Sequence, residues 1–99
     1  MLCYGGKGGI AACANIAPKL IVEIYEAFMA GDLKRSLDAQ FRLAPLRLAF
    51  DLGTFPVVIK EALDLMCLEG GPGRAPVGPM AEEKRAQLRE VLQQLGAVQ

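Results

Sequence analysis

Residues 5–15 read GGKGGIAACAN, a glycine-rich loop followed by a short apolar run and an asparagine that can cap a helix. The glycines permit backbone conformations that other residues avoid and let other groups approach the main chain closely. Residues 10–14 are apolar throughout and are bounded by turn-forming residues, which predicts a strand buried on both faces. We predict no second strand in the 99 residues, so we expect this strand to belong to a sheet that is mostly missing.

The sequence after this segment predicts two helices joined by a tight turn. Asn15 is expected to cap the first helix, over residues 17–30, with Pro18 in its first turn. Gly31 is expected to end that helix, and Asp32 to cap a second helix over residues 33–50. Helical spacing of apolar residues supports both predictions.

The second helix carries two apolar stripes, which predicts that it buries one face against its own chain and another against something else. Pro45 lies inside this helix and is expected to kink it, because proline removes a backbone hydrogen bond. The stripes are Leu33, Leu37, Phe41, Ala44 and Leu48, and Leu43, Leu46 and Phe50.

Two further helices are predicted on either side of a glycine- and proline-rich loop. Thr54 is expected to cap the third helix, which ends near Gly70. Residues 70–79, GGPGRAPVGP, cannot form regular structure, although prolines restrict their flexibility. The fourth helix is predicted over residues 81–95 and ends at Gly96.

Composition limits the partners that this chain can have. Hydrophobic residues make up 53% and charged residues 22%, which is apolar for so short a chain and predicts an interface or a missing neighbour. Lysine plus arginine and aspartate plus glutamate are both 11, so the chain carries no net charge and we expect no nucleic-acid partner. No apolar run approaches the roughly 18 residues of a membrane span, so we expect no membrane partner.

The cysteines give no sign of a disulfide framework or a zinc site. Cys3, Cys13 and Cys67 are an odd number, contain no Cys-x-x-Cys pair, and occur in a sequence without histidine. We expect reduced, buried, structural cysteines and a cytoplasmic protein. No metal and no cofactor are expected.

The residues also give no complete catalytic set. GGKGG lacks the Ser or Thr that follows the lysine of a phosphate-binding loop, so a tight turn is the favoured interpretation. Lys60, after an apolar run, could be an activated nucleophile, but on a helix its stem can lie along an apolar surface with its charge in water. Arg74 could clamp an acidic group, and pairing with Glu69 is the expected alternative. No residue of this chain is predicted to be catalytic.

The order of the motifs resembles the C-terminal third of the dihydrodipicolinate synthase / N-acetylneuraminate lyase family, over essentially all residues. The resemblance implies a mostly α chain that holds the last β/α unit of a (β/α)8 TIM barrel in residues 1–31. Residues 32–99 would form a three-helix C-terminal domain. The motifs are GGKGGIAACANIAP from residue 5, Ala30-Gly31-Asp32, Leu43-Ala44-Pro45-Leu46, Phe55-Pro56 with Lys60-Glu61-Ala62-Leu63, and Gly71-Pro72-Gly73-Arg74-Ala75-Pro76.

Members of the family are class I aldolases, lyases or synthases in which a lysine on an earlier barrel strand forms a Schiff base with pyruvate or another 2-oxo acid. A tyrosine assists proton transfer. The resemblance therefore implies the C-terminal part of such an enzyme, for example dihydrodipicolinate synthase or 4-hydroxy-2-oxoglutarate aldolase, inactive alone and homo-oligomeric when complete. Residues 59–61, Ile-Lys-Glu, mimic the Schiff-base motif, but their position matches a lysine of the helical domain.

The resemblance also implies one substrate-binding group. Ile10 is placed to pack on the bound 2-oxo acid, with Gly8 and Gly9 giving the backbone room, and the equal alternative is that Ile10 is barrel core. Ala11 stands where synthases often have serine, and Ala12 lies near where the sialic-acid lyases use a hydroxyl, which disfavours that substrate. Residues 71–76 resemble the 4-hydroxy-2-oxoglutarate aldolase-like members.

A second hypothesis belongs to a different class. The chain could be a stand-alone helical interaction module without catalysis, which self-associates through the second helix around Leu43, Leu46 and Phe50.

Overall fold

The chain folds into four α-helices and three short 3₁₀ helices in a computed structural model that describes residues 1–98. Within those residues there is no β-strand. The α-helices are α1 (Pro18–Met29), α2 (Leu33–Ala49), α3 (Val57–Leu65) and α4 (Glu82–Gln94). The 3₁₀ helices are Leu2–Tyr4, Ala12–Asn15 and Phe50–Leu52.

The strand predicted over residues 10–14 is wrong. Ala12–Asn15 forms a 3₁₀ helix, in which the Cys13 carbonyl accepts hydrogen bonds from the backbone N–H of Ile16 (3.0 Å) and Ala17 (2.8 Å). A strand satisfies its backbone groups only through a neighbouring strand, and the described residues supply none, so local bonds replace the ladder. Ile10 is fully exposed, whereas Cys13 is buried.

The first two helices begin and end almost where the sequence predicts. The cap of α1 differs, because Ala17 occupies that position and the Asn15 side-chain amide donates to the Ala12 carbonyl at 3.0 Å. Gly31 follows α1 with a left-handed φ of 79°, which glycine adopts without strain. The Asp32 side chain accepts from the Arg35 backbone N–H at 3.0 Å, so the predicted cap of α2 is confirmed.

The last two helices lie on either side of the glycine- and proline-rich loop, as predicted, but the start of α3 differs. Pro56, not Thr54, occupies the cap position of α3, although the Thr54 carbonyl accepts from the Val57 N–H at 2.7 Å. Glu82 and Glu83 stand in the first turn of α4, where the helix dipole favours acids. Gly96, with φ 69°, lies just after its end as predicted.

The α1–α2 pair is an antiparallel hairpin. Ser36 Oγ donates to the Ile24 carbonyl at 2.8 Å, while Arg35 and Arg42 both reach Glu23, so the chain runs back along itself. The hairpin packs against the other helices around one apolar core. Its buried members are Cys13, Ile16, Leu20, Ala39, Leu43, Leu46, Ala49, Val58, Ile59, Ala62, Leu65, Leu88 and Leu92.

The two stripes of α2 have different surroundings. Leu43 and Leu46 are buried in the core and Phe50 is half-buried, so the predicted self-association surface around them is wrong. The large side chains of the other stripe are exposed: Leu33, Leu37, Phe41 and Leu48. The exposed stripe is the candidate for the predicted second face of α2, and its burial against something outside the chain stays a prediction.

Of the three cysteines, only Cys13 is buried, and all three are free thiols. Burial of Cys3 and Cys67 was predicted and is wrong: Cys3 lies in the exposed 3₁₀ helix Leu2–Tyr4, and Cys67 lies in the exposed turn after α3. No helix in the described part of the chain is both long and apolar enough to span a membrane.

Candidate functional site

The glycine-rich segment forms an open, irregular stretch in front of the core. Gly5 takes a left-handed φ of 84° at the end of the first 3₁₀ helix. A Cβ added to Gly8 or Gly9 would meet no atom within 4 Å, so neither residue is confined by the described chain. Ile10 follows with its side chain fully exposed. The three residues predicted to bind substrate therefore lie on the surface.

Ile10 borders a groove between this segment and the start of α3, whereas Gly8 and Gly9 do not line it. The groove has a volume of about 600 Å³ and is open to solvent. Ala11, Ala12 and Asn15 form one wall, and residues of α3 and the turn before it form the other. The structure thus brings Ile10 together with Phe55, Ile59 and Lys60, a combination that the sequence did not predict.

Lys60 is held by its neighbours and is not poised as a nucleophile. Its Nζ donates to the Gly70 carbonyl at 2.8 Å, and the Gly70 backbone N–H donates to Asp64 Oδ1 at 2.8 Å. A Cβ at Gly70 would overlap the backbone of Lys60, so only glycine fits. These contacts fasten the glycine- and proline-rich loop to α3, which agrees with a structural role for Lys60, although its head binds a carbonyl instead of water.

The sequence did not predict these hydrogen bonds of Gly70 to Lys60 and Asp64. Lys60 and Asp64 are four residues apart, so they share a face of α3, and Gly70 comes shortly after the helix ends. That spacing could have indicated them, but the carbonyl partner depends on how the loop folds back.

The expected ion pair between Arg74 and Glu69 is wrong. Arg74 is not a member of any of the four ion pairs found among residues 1–98. The Arg74 carbonyl instead accepts from the Val77 N–H at 2.9 Å, which closes a turn in the loop. The partly buried ion pair of this region joins α3 to α4, between Glu61 and Arg85 at 2.9 Å.

The arrangement offers an apolar wall, a fixed cation and an open groove, but no acid–base pair aimed at a substrate. The described residues also hold no cluster of three or more His, Cys, Asp or Glu side chains that could bind a metal ion. Ile10 is the exposed apolar group at the edge of this groove.

Residues 1–95 match the sequence model of the Dihydrodipicolinate synthetase family. This chain belongs to that family. It is 43% identical over 95 residues to a 4-hydroxy-tetrahydrodipicolinate synthase of Archaeoglobus fulgidus, covering 96% of this chain and 33% of the relative. The chain therefore spans about a third of the length of the curated relatives it matches.

Solved structures of the family share its fold. A monomeric dihydrodipicolinate synthase variant superposes with a TM-score of 0.90 at 37% identity, over 98% of this chain and 32% of that one. A prophage protein of the dihydrodipicolinic acid synthase family from E. coli K12, solved in complex with pyruvate, gives a TM-score of 0.86 at 33% identity. That comparison covers 97% of this chain and 33% of the other. The helical fold of this family chain thus matches about a third of each longer structure.

Proposed function

We propose that this chain is the C-terminal part of a Schiff-base aldolase, lyase or synthase that acts on pyruvate or a related 2-oxo acid. The observation that carries the proposal is the match of residues 1–95 to the Dihydrodipicolinate synthetase family, together with a fold that superposes on about a third of its longer members. Residues 1–31 would complete a (β/α)8 barrel, and residues 32–99 would form the helical domain after it. Gln99 lies outside the described residues.

In this proposal residues 10–14 become a strand only beside other strands. Their lack of strand structure here supports that reading, because the backbone finds local partners when no sheet is present. Residues 7–10 are exposed and lie outside the core cluster, so no core contacts of theirs oppose such a rearrangement.

Ile10 then supplies an apolar wall for the bound 2-oxo acid, with Gly8 and Gly9 leaving space for the backbone to approach. Active sites of (β/α)8 barrels lie at the C-terminal ends of the strands, and an apolar side chain there excludes water from the imine. Support comes from the full exposure of Ile10 and the open space around both glycines. The pyruvate complex of the E. coli relative supports the substrate class.

The chemistry itself belongs to residues that this chain does not provide. Lys60 is bound to the Gly70 carbonyl, so it is not offered to a carbonyl substrate. The Schiff-base lysine and the tyrosine would come from the rest of the family polypeptide, and this chain alone would be inactive. A cytoplasmic location and a homo-oligomeric assembly are part of the same proposal.

The test is reduction with borohydride in the presence of pyruvate, followed by mass spectrometry of the intact chain. We expect no covalent adduct on the isolated chain, because its lysines are either solvated or held by hydrogen bonds. The complete Archaeoglobus fulgidus relative, treated in the same way, is the positive control. A pyruvate adduct on Lys60 or on any other lysine of the isolated chain would overturn the proposal.

The role of Ile10 is tested in the assembled protein. The complementary two-thirds of the same relative is supplied as a second polypeptide, and the adduct is then expected on that polypeptide. Ile10→Asp should lower its yield at a fixed pyruvate concentration, since a carboxylate would repel the substrate carboxylate. An unchanged yield would show that Ile10 does not contact the bound acid.

A further inference from the structure

The groove beside Ile10 extends past the residues that the proposed function uses. Its other side is formed by the turn before α3 and the first turn of that helix, and Phe55, Pro56 and Ile59 line it there. We call these residues the α3 wall. Phe55 is 63% exposed and Ile10 is fully exposed, so two large apolar side chains stand in water at the edges of one groove. Adjacent exposed apolar groups of this kind mark ligand-binding grooves.

The backbone holds the α3 wall in place. The Thr54 carbonyl accepts from the Val57 N–H at 2.7 Å. The Pro56 carbonyl accepts from the Ile59 N–H at 3.1 Å, so the turn around Phe55 continues directly into α3. An aromatic side chain on a fixed backbone loses little conformational freedom when a ligand covers it.

A complete family chain has the same arrangement of these segments. The monomeric dihydrodipicolinate synthase variant superposes with a TM-score of 0.90 over 98% of this chain, so the glycine-rich segment and α3 keep nearly the same relative positions in it. The α3 wall therefore lies beside Ile10 in a longer polypeptide as well. In the proposed function, Ile10 packs on the bound 2-oxo acid, and the α3 wall is the next surface that the acid meets.

The two polar side chains that line the groove each bind the backbone of the chain itself. The Asn15 amide donates to the Ala12 carbonyl at 3.0 Å, and Lys60 Nζ donates to the Gly70 carbonyl at 2.8 Å. Among the described residues no side-chain hydroxyl or carboxylate lines the groove. A hydroxylated or charged substituent would lose water there and gain few hydrogen bonds, whereas an apolar substituent gains from burial.

We propose that the α3 wall, with Phe55 as its main contact, binds the apolar tail of a 2-oxo acid and so selects which acids are accepted. The tail leaves the acid beside Ile10 and crosses the groove to Phe55. This inference rests on the proposed function and adds the substrate class: 2-oxo acids with an alkyl tail, in preference to hydroxylated or dicarboxylic ones. The helical domain thereby supplies a specificity-determining residue to a site whose chemistry belongs to the barrel.

The test uses a complete chain in which residues 1–95 replace the matched segment of the Archaeoglobus fulgidus relative. Borohydride traps the Schiff base, and mass spectrometry gives the concentration of each acid that half-saturates the adduct. The probes are pyruvate, which has no tail, 2-oxohexanoate, which has an apolar tail, and 2-oxoglutarate, which has a charged one. A fully buried methylene is worth about fourfold in affinity, so a partly buried tail should let 2-oxohexanoate half-saturate at about a tenfold lower concentration than pyruvate.

Variants are compared by the ratio of the half-saturating concentrations of pyruvate and 2-oxohexanoate, because a general loss of folding or of Schiff-base formation affects both acids. Phe55→Ala should reduce the ratio to about threefold or less, and Phe55→Leu should retain most of it. Phe41→Ala is the matched control. Phe41 is 64% exposed on α2 and does not line the groove, so the ratio should stay that of the parent.

The outcomes separate this inference from the proposed function. No pyruvate adduct, either in the complete chain or in the assembly of two polypeptides, would overturn both when the intact relative gives one. A pyruvate adduct without a preference for 2-oxohexanoate would overturn the inference alone. So would a preference that survives Phe55→Ala or that Phe41→Ala removes equally. Half-saturation by 2-oxoglutarate at a lower concentration than by 2-oxohexanoate would also overturn it, because Lys60 would then bind a distal carboxylate.

Discussion

Helix α2 carries two apolar stripes of similar composition with opposite environments. Leu46 has no exposed surface, whereas Leu48, two residues later on the same helix, is 72% exposed. Local sequence cannot account for this difference, because both are leucines in one helix. Position relative to α1 and α4 accounts for it, since those helices cover one stripe and leave the other open.

The comparison teaches that hydrophobic periodicity reports how many faces a helix needs to bury, but not what buries them. The covered stripe stabilises this chain as it stands. The uncovered stripe does not stabilise the isolated chain, because it stays in water, and it would contribute free energy only on binding a partner. Substitutions in the two stripes should therefore have separable effects.

The largest expected effect comes from the covered stripe. Leu46→Ala should lower the free energy of unfolding by about 2–5 kcal/mol, because a fully buried leucine leaves a cavity that the core refills only in part. Urea denaturation followed by circular dichroism measures it. The matched control is Leu48→Ala, which should change the free energy of unfolding by less than about 0.5 kcal/mol. Similar losses at both positions would contradict the difference between the stripes.

A smaller effect is expected from the hydrogen bond that joins α2 to α1. Ser36 is buried, and its Oγ donates to the Ile24 carbonyl at 2.8 Å. Ser36→Ala removes this bond and should cost about 0.5–1.5 kcal/mol of unfolding free energy. Gln40→Ala, at an exposed position of the same helix, is the control and should be close to neutral. A neutral Ser36→Ala would mean that packing alone holds α1 against α2.

The smallest effect belongs to an exposed ion pair on the outer surface of α2, between Lys34 and Asp38. The hydrogen bond from Lys34 Nζ to Asp38 Oδ2 (2.9 Å), followed by the attraction of the two charges, raises the pKa of Lys34 above its ordinary value of 10.5. A raised pKa in the folded state means that the stabilisation is fully present below 10.5 and disappears as the pH rises through the raised value. It should be small at any pH, because solvent screens exposed pairs.

Thermal midpoints of the parent and of Asp38→Asn, measured from about pH 8 upward, check this prediction. The two curves should differ slightly below the ordinary lysine pKa and converge above it, while the tyrosines and other lysines affect both proteins alike. A difference that grows with pH would show that the sign is wrong.

The helices were predictable because their signals are local. Gly31 ends α1 because glycine adopts the left-handed conformation needed there, and the Asp32 side chain caps α2 by accepting from a backbone N–H three residues later. The acidic residues of α4 likewise act within its first turn. The caps of α1 and α3 were wrong by two residues, since Asn15 bonds backward to Ala12 and Pro56 takes the place of Thr54. Capping side chains have several partners within reach, and the pattern does not choose among them.

The candidate site was harder to predict than the helices. Ile10, Gly8 and Gly9 were named through a family resemblance, and the exposure of Ile10 could not be read from an apolar run that suggested burial. The bond from Lys60 to Gly70 depends on a loop that turns back on α3, so no spacing along the chain fixes it.

From its residues alone, this protein specifies four helices, the turns between them, a family, and an excess of apolar surface. These features depend on backbone propensities and on contacts within a few residues. Tertiary structure settled which apolar stripe is covered, that residues 10–14 form no strand within the described chain, and that Lys60 is tied to Gly70. Burial and strand pairing require atoms from distant parts of a polypeptide, and the hydrophobic periodicity of one segment does not indicate which distant atoms will contact it.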